Sequence, residues 1–290
     1  GAVESLCIEA MMQDGKALQA GTSHFLGQNF AKSSDVKFLS KDGKLEYPFA
    51  TSWGVSTRLV GALVMTHSDD AGLVLPPKLA PIHAVIIPIH KGDEEKAKVL
   101  AECAAVFGEL KAKGLAVKLD DRDLHPGAKF YEWELKGVPV RIEIGPKDIE
   151  KGSLCVARRF VIEKEGESEQ DLRKRKKQFL PRAEALAGLP GLLDGMQREL
   201  FDRAKLLRTK RTRVIDSLEE YEQFHKGAGG FAWVHWAGSA EDEETLAKRF
   251  ETSIRCIPFA DQMPDGAQGE GKCILTGKPS QQRVLMAKAY

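Results

Sequence analysis

Hydrophobic and polar positions along the chain sort it into stretches of different period. Residues 82–89 form an apolar, branched run behind Pro76, Pro77 and Pro81, and such a run reads as a buried strand. Across 94–113 apolar side chains recur at helical spacing, at Val99, Cys103, Val106, Phe107 and Leu110. Gly92-Asp93 stands where a helix cap is expected and Gly114 where a helix should stop. Residues 115–119 and 138–144 read as two further strands. Strand, helix and strand in close succession predict an α/β domain with parallel pairing over about 81–165. Beyond it, 163–170 is polar and 173–177 basic. An amphipathic helix is predicted over 192–208, with Leu193, Met196, Leu200 and Leu207 on one side. A helix at 219–225 and an aromatic strand at 231–236 open a last, small unit, whose remaining elements are short and divided by Gly and Pro.

Composition narrows the class. The 290 residues suffice for roughly two domains, and 42% apolar with 29% charged residues supply both a core and a solvated surface. No apolar run approaches the roughly 18 residues a membrane span needs, so no membrane partner is expected. Residues 1–10 lack a basic region followed by a hydrophobic stretch, and the chain starts with Gly1, which reads as an internal segment without a secretory signal. Five scattered cysteines, none at CxxC spacing, read as free thiols of a reducing, cytoplasmic compartment. Net charge is +1, but its distribution is uneven. Residues 171–213 carry thirteen Lys/Arg against five Asp/Glu, and 241–270 carry eight acidic against three basic residues. A basic face for nucleic acid and a merely solvated helix face both fit that pattern.

The first eighty residues hold the densest chemistry. Residues 18–30, LQAGTSHFLGQNF, mix small, hydroxyl, amide and imidazole groups, a set able to hydrogen-bond a polar small molecule at close backbone approach. In TSWGVSTRLVG, residues 51–61, Ser56 and Thr57 start a predicted helix and place Arg58 in its first turn, beside free backbone amides that suit phosphate. An α/β nucleotide-binding domain of the glycine-loop kind is disfavoured, because no GxGxxG or GxxxxGK follows 82–89.

Together these strings resemble one family. GTSHFLGQNFAK followed by TSWGVSTRLVGALVMTHSDDAGLVLPPKLAP is similar to the end of the class II catalytic domain of prolyl-tRNA synthetases of the archaeal/eukaryotic-like type. The likeness continues through KFYEWELKGVPVRIEIGPKD at 129–148, through CVARR at 155–159, and to the terminal Tyr290. It implies a multidomain α/β and α+β chain: the end of an antiparallel-sheet catalytic domain at 1–80, an α/β anticodon-binding domain at 81–165, and a small α+β C-terminal domain with a helical linker at 166–290.

The resemblance also implies roles. Gln19, Thr22, Ser56 and Arg58 would contact ATP, with Arg58 the catalytic arginine. His24, Ser52 and Trp53 would shape the proline site. With ATP and Mg2+, L-proline would be joined to AMP and then passed to tRNA(Pro). For the anticodon the candidates are Lys129, Glu132, Arg141 and Glu143, with Phe130 and Trp133 as stacking or core aromatics. Alternation puts Arg141 and Glu143 on one strand face, where they could equally pair with each other. The family's two earlier class motifs have no counterpart here, so the chain is expected to be part of a longer, homodimeric enzyme and inactive in adenylation by itself. The alternative is a tRNA-binding module without synthetase activity. Many relatives hold zinc through two cysteine pairs. Here 236–242 and the region of Cys273 lack such pairs, so zinc is not expected, Cys256 and Cys273 are expected as buried thiols, and Phe231, Trp233, Trp236, Phe250 and Phe259 as compensating core.

Overall fold

In a computed structural model, which describes residues 1–163, 165–264 and 267–290, the chain divides into two compact units. One comprises Gly1–Thr66 with Leu206–Tyr290, the other His67–Lys205.

The first unit opens with β1 (Glu4–Met11) and β2 (Ala17–Gly27), paired antiparallel around a tight turn. A short helix α1 (Asn29–Ser33) and a small hairpin of β3 (Phe38–Leu39) and β4 (Leu45–Glu46) lead to β5 (Ala50–Gly54). That strand pairs antiparallel with β2, giving the order β1-β2-β5. Helix α2 (Arg58–His67) follows, and Ser56 accepts the Arg58 backbone N–H at 3.3 Å, as expected for a hydroxyl at a helix start.

The second unit is built on β6 (Ala84–Pro88), buried throughout as its unbroken apolar run requires. Helix α3 (Asp93–Ala112) buries Val99, Cys103, Val106 and Leu110, and Gly114 follows its end at φ +79°, a left-handed geometry that glycine adopts without strain. Next come β7 (Val117–Leu119), α4 (Pro126–Leu135), β8 (Val140–Ile144), α5 (Pro146–Glu150), β9 (Ser153–Arg158), α6 (Glu169–Lys176) and β10 (Lys177–Pro181). The sheet order is β10-β9-β8-β6-β7. The expected parallel pairing is found for β6 with β7 and β8, while β9 and β10 add antiparallel edges. Because β10 belongs to this sheet, the expected division at 165/166 falls inside the unit. The polar and basic residues around it hid a strand that lies at a sheet edge, mostly exposed.

Helix α7 (Arg182–Lys210) begins at Arg182, well before the expected 192. Pro190 lies inside the helix, which buries Ala185, Leu186, Leu189, Leu193, Met196 and Leu200. Tertiary burial outweighs the local penalty of one proline.

The first unit is completed by β11 (Thr212–Ile215), α8 (Leu218–Lys226), β12 (Phe231–His235), α9 (Ala240–Phe250), β13 (Ser253–Cys256), the short strands β14 (Gly271–Lys272) and β15 (Pro279–Ser280), and β16 (Arg283–Ala287). In the order β11-β12-β16-β13 the two central strands are buried on both faces. Ala232, Val234, Val284 and Met286 pack with Tyr221, Leu246 and Phe250. Their neighbours in sequence, Phe231, Trp233, Leu285 and Ala287, pack with Met11 and Ala17. Of the expected core aromatics, Phe231, Trp233 and Phe250 are buried and Trp236 packs partly buried, whereas Phe259 is exposed. Cys273 is buried, and Cys256 only half-buried. The chain end lies on the β1–β2 turn: the Tyr290 hydroxyl donates to Asp14 at 2.6 Å and its backbone N–H to Ala17 at 3.2 Å. Among the described residues no helix is long and apolar enough to cross a membrane.

Candidate functional site

Two concave sites stand out, one in each unit. In the first unit β2, β5 and the start of α2 enclose a cleft of about 230 Å³ lined by Gln19, Ala20, Gly21, Thr22, Gly54, Val55, Ser56 and Arg58. Strand pairing places Thr22 opposite Gly54 and His24 opposite Ser52, so these four share one face of the sheet. The turn between β5 and α2 then carries Arg58 back over β2, where its Nη1 donates to the Gln19 carbonyl at 3.4 Å. The cleft thus gathers a guanidinium, an amide and two hydroxyls around small residues. Such a set binds a polyanion with hydroxyl or amine handles. It contains no carboxylate and so offers no ligand set for Mg2+, which would arrive on the phosphates it accompanies.

In the second unit a cavity of about 320 Å³ has Val85, Trp133, Val138 and Ala157 as its apolar lining. Six cations border it (Arg141, Arg158, Arg159, Arg173, Lys176 and Lys177) against one carboxylate, Glu134. The cations are held, not loose. Arg141 donates from Nε to Glu143 at 3.0 Å and lies 4.0 Å over the Phe130 ring, while Lys177 donates to the other Glu143 oxygen at 2.7 Å. Arg159 gives Nε to the Glu134 main-chain oxygen at 3.0 Å, and Lys176 stands 3.6 Å from the Glu134 carboxylate. Beneath, the Trp133 indole N–H donates to buried Asp120 at 2.7 Å. The Arg122 guanidinium, helped by that indole, holds the Asp120 carboxyl well below the usual carboxylate range against the opposing effect of burial.

The family described as "Anticodon binding domain" matches residues 83–186, the unit that holds the cationic cavity. The one described as "Prolyl-tRNA synthetase, C-terminal" matches 218–290. Over this whole chain, curated proline–tRNA ligases of Christiangramia forsetii and Flavobacterium johnsoniae are 49% and 50% identical, and that of Roseiflexus castenholzii 48%. The chain belongs with the prolyl-tRNA synthetases, as their C-terminal region. It spans 56–57% of the length of these relatives.

Within this synthetase region the sequence candidates separate. Gln19, Thr22, Ser56 and Arg58 converge on the cleft. His24 and Ser52 lie beside it on the same face, with His24 Nδ1 bonded to Ser5 Oγ at 2.7 Å, whereas Trp53 pairs with Ser23 on the opposite face and is 80% exposed. Of the RNA candidates, Arg141 lines the cationic cavity, and Glu143 lies buried beneath as its anchor. Lys129 is buried with its ammonium on the Asp120 carbonyl at 3.0 Å, and Glu132 pairs with Arg122 and Lys136 outside the cavity. Glu134, Arg158, Arg159, Lys176 and Lys177 were not singled out. The basic run at 173–177 was visible as charge, but it is the β8–β9–β10 pairing that brings Lys177 to Glu143 of β8. Among the described residues no group of three or more His, Cys, Asp or Glu stands close enough to hold a metal ion.

Proposed function

We propose that this chain is the part of a proline–tRNA ligase that completes the ATP and proline site and reads the anticodon of tRNA(Pro). The observation that carries the reading is the convergence of Gln19, Thr22, Ser56 and Arg58, separate in sequence, on one cleft. In that cleft Arg58 meets the phosphates of ATP with a fixed charge and opposes the negative charge that builds during adenylate formation. Thr22 and Ser56 supply hydroxyls, and Gln19 an amide, that orient the nucleotide. His24 and Ser52, next along the same sheet face, border the proline. Magnesium, bound to the phosphates, would lower the charge that Arg58 has to balance.

In the cationic cavity Glu134 and Arg141 offer an acceptor and a donor fork within one apolar-floored site, the complement of a guanine edge. Arg158, Lys176 and Lys177 border it for the phosphate backbone. Homodimerisation and a cytoplasmic location complete the reading, carried by the family resemblance.

Many apolar side chains of the first unit are exposed, among them Ile8, Leu39, Leu45, Phe49, Val55 and Val60. Exposed apolar side chains in that number suit a cover, and the chain spans only 56–57% of the length of the relatives. The test is proline-dependent ATP–pyrophosphate exchange by this chain and by the enzyme that carries it. Exchange by the enzyme that falls about 100-fold or more on Arg58→Ala supports the reading. Absence of exchange together with retained tRNA binding favours a binding module without synthetase activity.

A further inference from the structure

Glu9 of β1 is buried, with its side chain 3% exposed, and it sits directly opposite Gln19 of β2 at the bulge between Ile8 and Glu9. A carboxylate removed from water needs a partner. It finds one far along the chain: Arg255 of β13 donates from Nε to Glu9 Oε2 at 3.1 Å and from Nη2 to Oε1 at 3.2 Å, a two-pronged fork. The same guanidinium is steadied by Ser253 Oγ at 3.2 Å, and the Arg255 carbonyl accepts from Cys7 Sγ at 3.7 Å.

Another partner of Glu9 is Gln19, whose Nε2 lies 3.4 Å from Oε1. An ionised carboxylate accepts and never donates. The Gln19 amide must therefore turn its NH2 toward Glu9, which leaves its oxygen on the other side as an acceptor for the cleft. We propose that Arg255 is a positioning residue for the nucleotide cleft. By fixing the Glu9 carboxylate in its two-pronged fork, it holds the Gln19 amide with its oxygen ready to accept from a hydroxyl or amine of the bound nucleotide. A strand of the C-terminal domain thereby sets an element of the ATP site without touching the ligand.

The inference rests on the ATP reading of the cleft, and the experiment separates the two. Exchange kinetics are measured for Gln19→Ala, Arg255→Met, Arg255→Lys, Gln19→Ala/Arg255→Met and Glu9→Gln/Arg255→Met in the enzyme carrying this chain, with thermal unfolding alongside. Arg255→Met is expected to raise KM for ATP about tenfold while KM for proline stays within about twofold. Arg255→Lys, which keeps charge but not the fork, recovers part of the loss. Gln19→Ala/Arg255→Met is no worse than Gln19→Ala alone, since both act through one amide. Glu9→Gln/Arg255→Met, free of the unpaired buried charge, keeps the raised KM because its new amide no longer dictates the orientation of Gln19.

If Gln19→Ala raises KM for ATP and Arg255→Met does not, Arg255 has no positioning role and the cleft assignment stands. If Gln19→Ala itself leaves KM for ATP unchanged, the cleft assignment fails. Return of KM for ATP to the parent value in Glu9→Gln/Arg255→Met would show that Arg255 merely neutralises a charge, and would overturn the proposal.

Discussion

Lys113 donates its ammonium to the main-chain oxygen of Leu186 at 2.9 Å. Leu186 lies four residues before Pro190, and that carbonyl is the one a helix would pair with the N–H that proline lacks. The lysine occupies the acceptor and lets the helix run through the proline. Lys113→Met is expected to cost about 1–3 kcal/mol, read by urea unfolding. Pro190→Ala in the same chain should remove most of that cost, because the backbone N–H returns.

Arg159 and Asp69 form a second tie, between the end of β9 and the segment ahead of β6. Both guanidinium nitrogens reach the carboxylate, at 2.5 and 3.0 Å, from a side chain only 3% exposed, while Asp69 is half exposed. The two single variants should therefore differ. Asp69→Asn leaves a buried cation without its charge partner and should cost about 2–4 kcal/mol. Arg159→Met removes the buried charge and should cost less, about 1–2 kcal/mol. Arg159 holds the Asp69 carboxyl below its usual value of 3.8. The contribution is thus fully present above that value and fades as pH falls through the lower folded one. Equal losses in the two variants would contradict the account.

His225 is buried against Tyr221, with ring centroids 4.5 Å apart, and neither ring nitrogen has a partner among the described residues. Burial, aided by the charge of Lys288, pulls its pKa from 6.5 to about 4. Between those values the unfolded chain takes up a proton that the folded chain refuses. Stability from this site is complete above 6.5 and is lost as pH falls toward 4, by as much as about 3 kcal/mol. His225→Phe should flatten the unfolding midpoint between pH 7 and 4.5 relative to the parent. His67, also pulled to about 4 by burial, supplies a similar slope in the other unit and is unaffected by that variant.

For RNA, Lys177→Met should weaken binding of any stem-loop about equally and lower the salt slope by about one. Glu134→Gln and Arg141→Gln should instead lower discrimination for a guanine-bearing anticodon, each by about 1–3 kcal/mol. Titration of a proline-type anticodon stem-loop and a guanine-to-adenine version at two salt concentrations separates these outcomes. A uniform loss in all three variants would make the cavity a phosphate site alone.

Local pattern sufficed for much of this protein. The branched run at 82–89, the helical repeat from Val99 to Leu110 and the aromatic strand beginning at Phe231 all became the expected elements, because burial on a period of two or 3.6 residues is written directly in the order of side chains. The strings around Gln19 and Arg58 displayed their amide, hydroxyl and guanidinium groups, while the cleft that gathers them came from strand pairing. Where neighbours distant in sequence make the decision, the order of residues was silent. Pro190 is helical because Lys113 and a buried face support it; β10 is a strand because β9 offers it an edge. Glu134 and Lys177 share a cavity, and Glu9 meets Arg255, only after sheets and crossovers have folded. A side chain's type is fixed by the chain itself, but its partner, its burial and hence its charge state are properties of the packed structure.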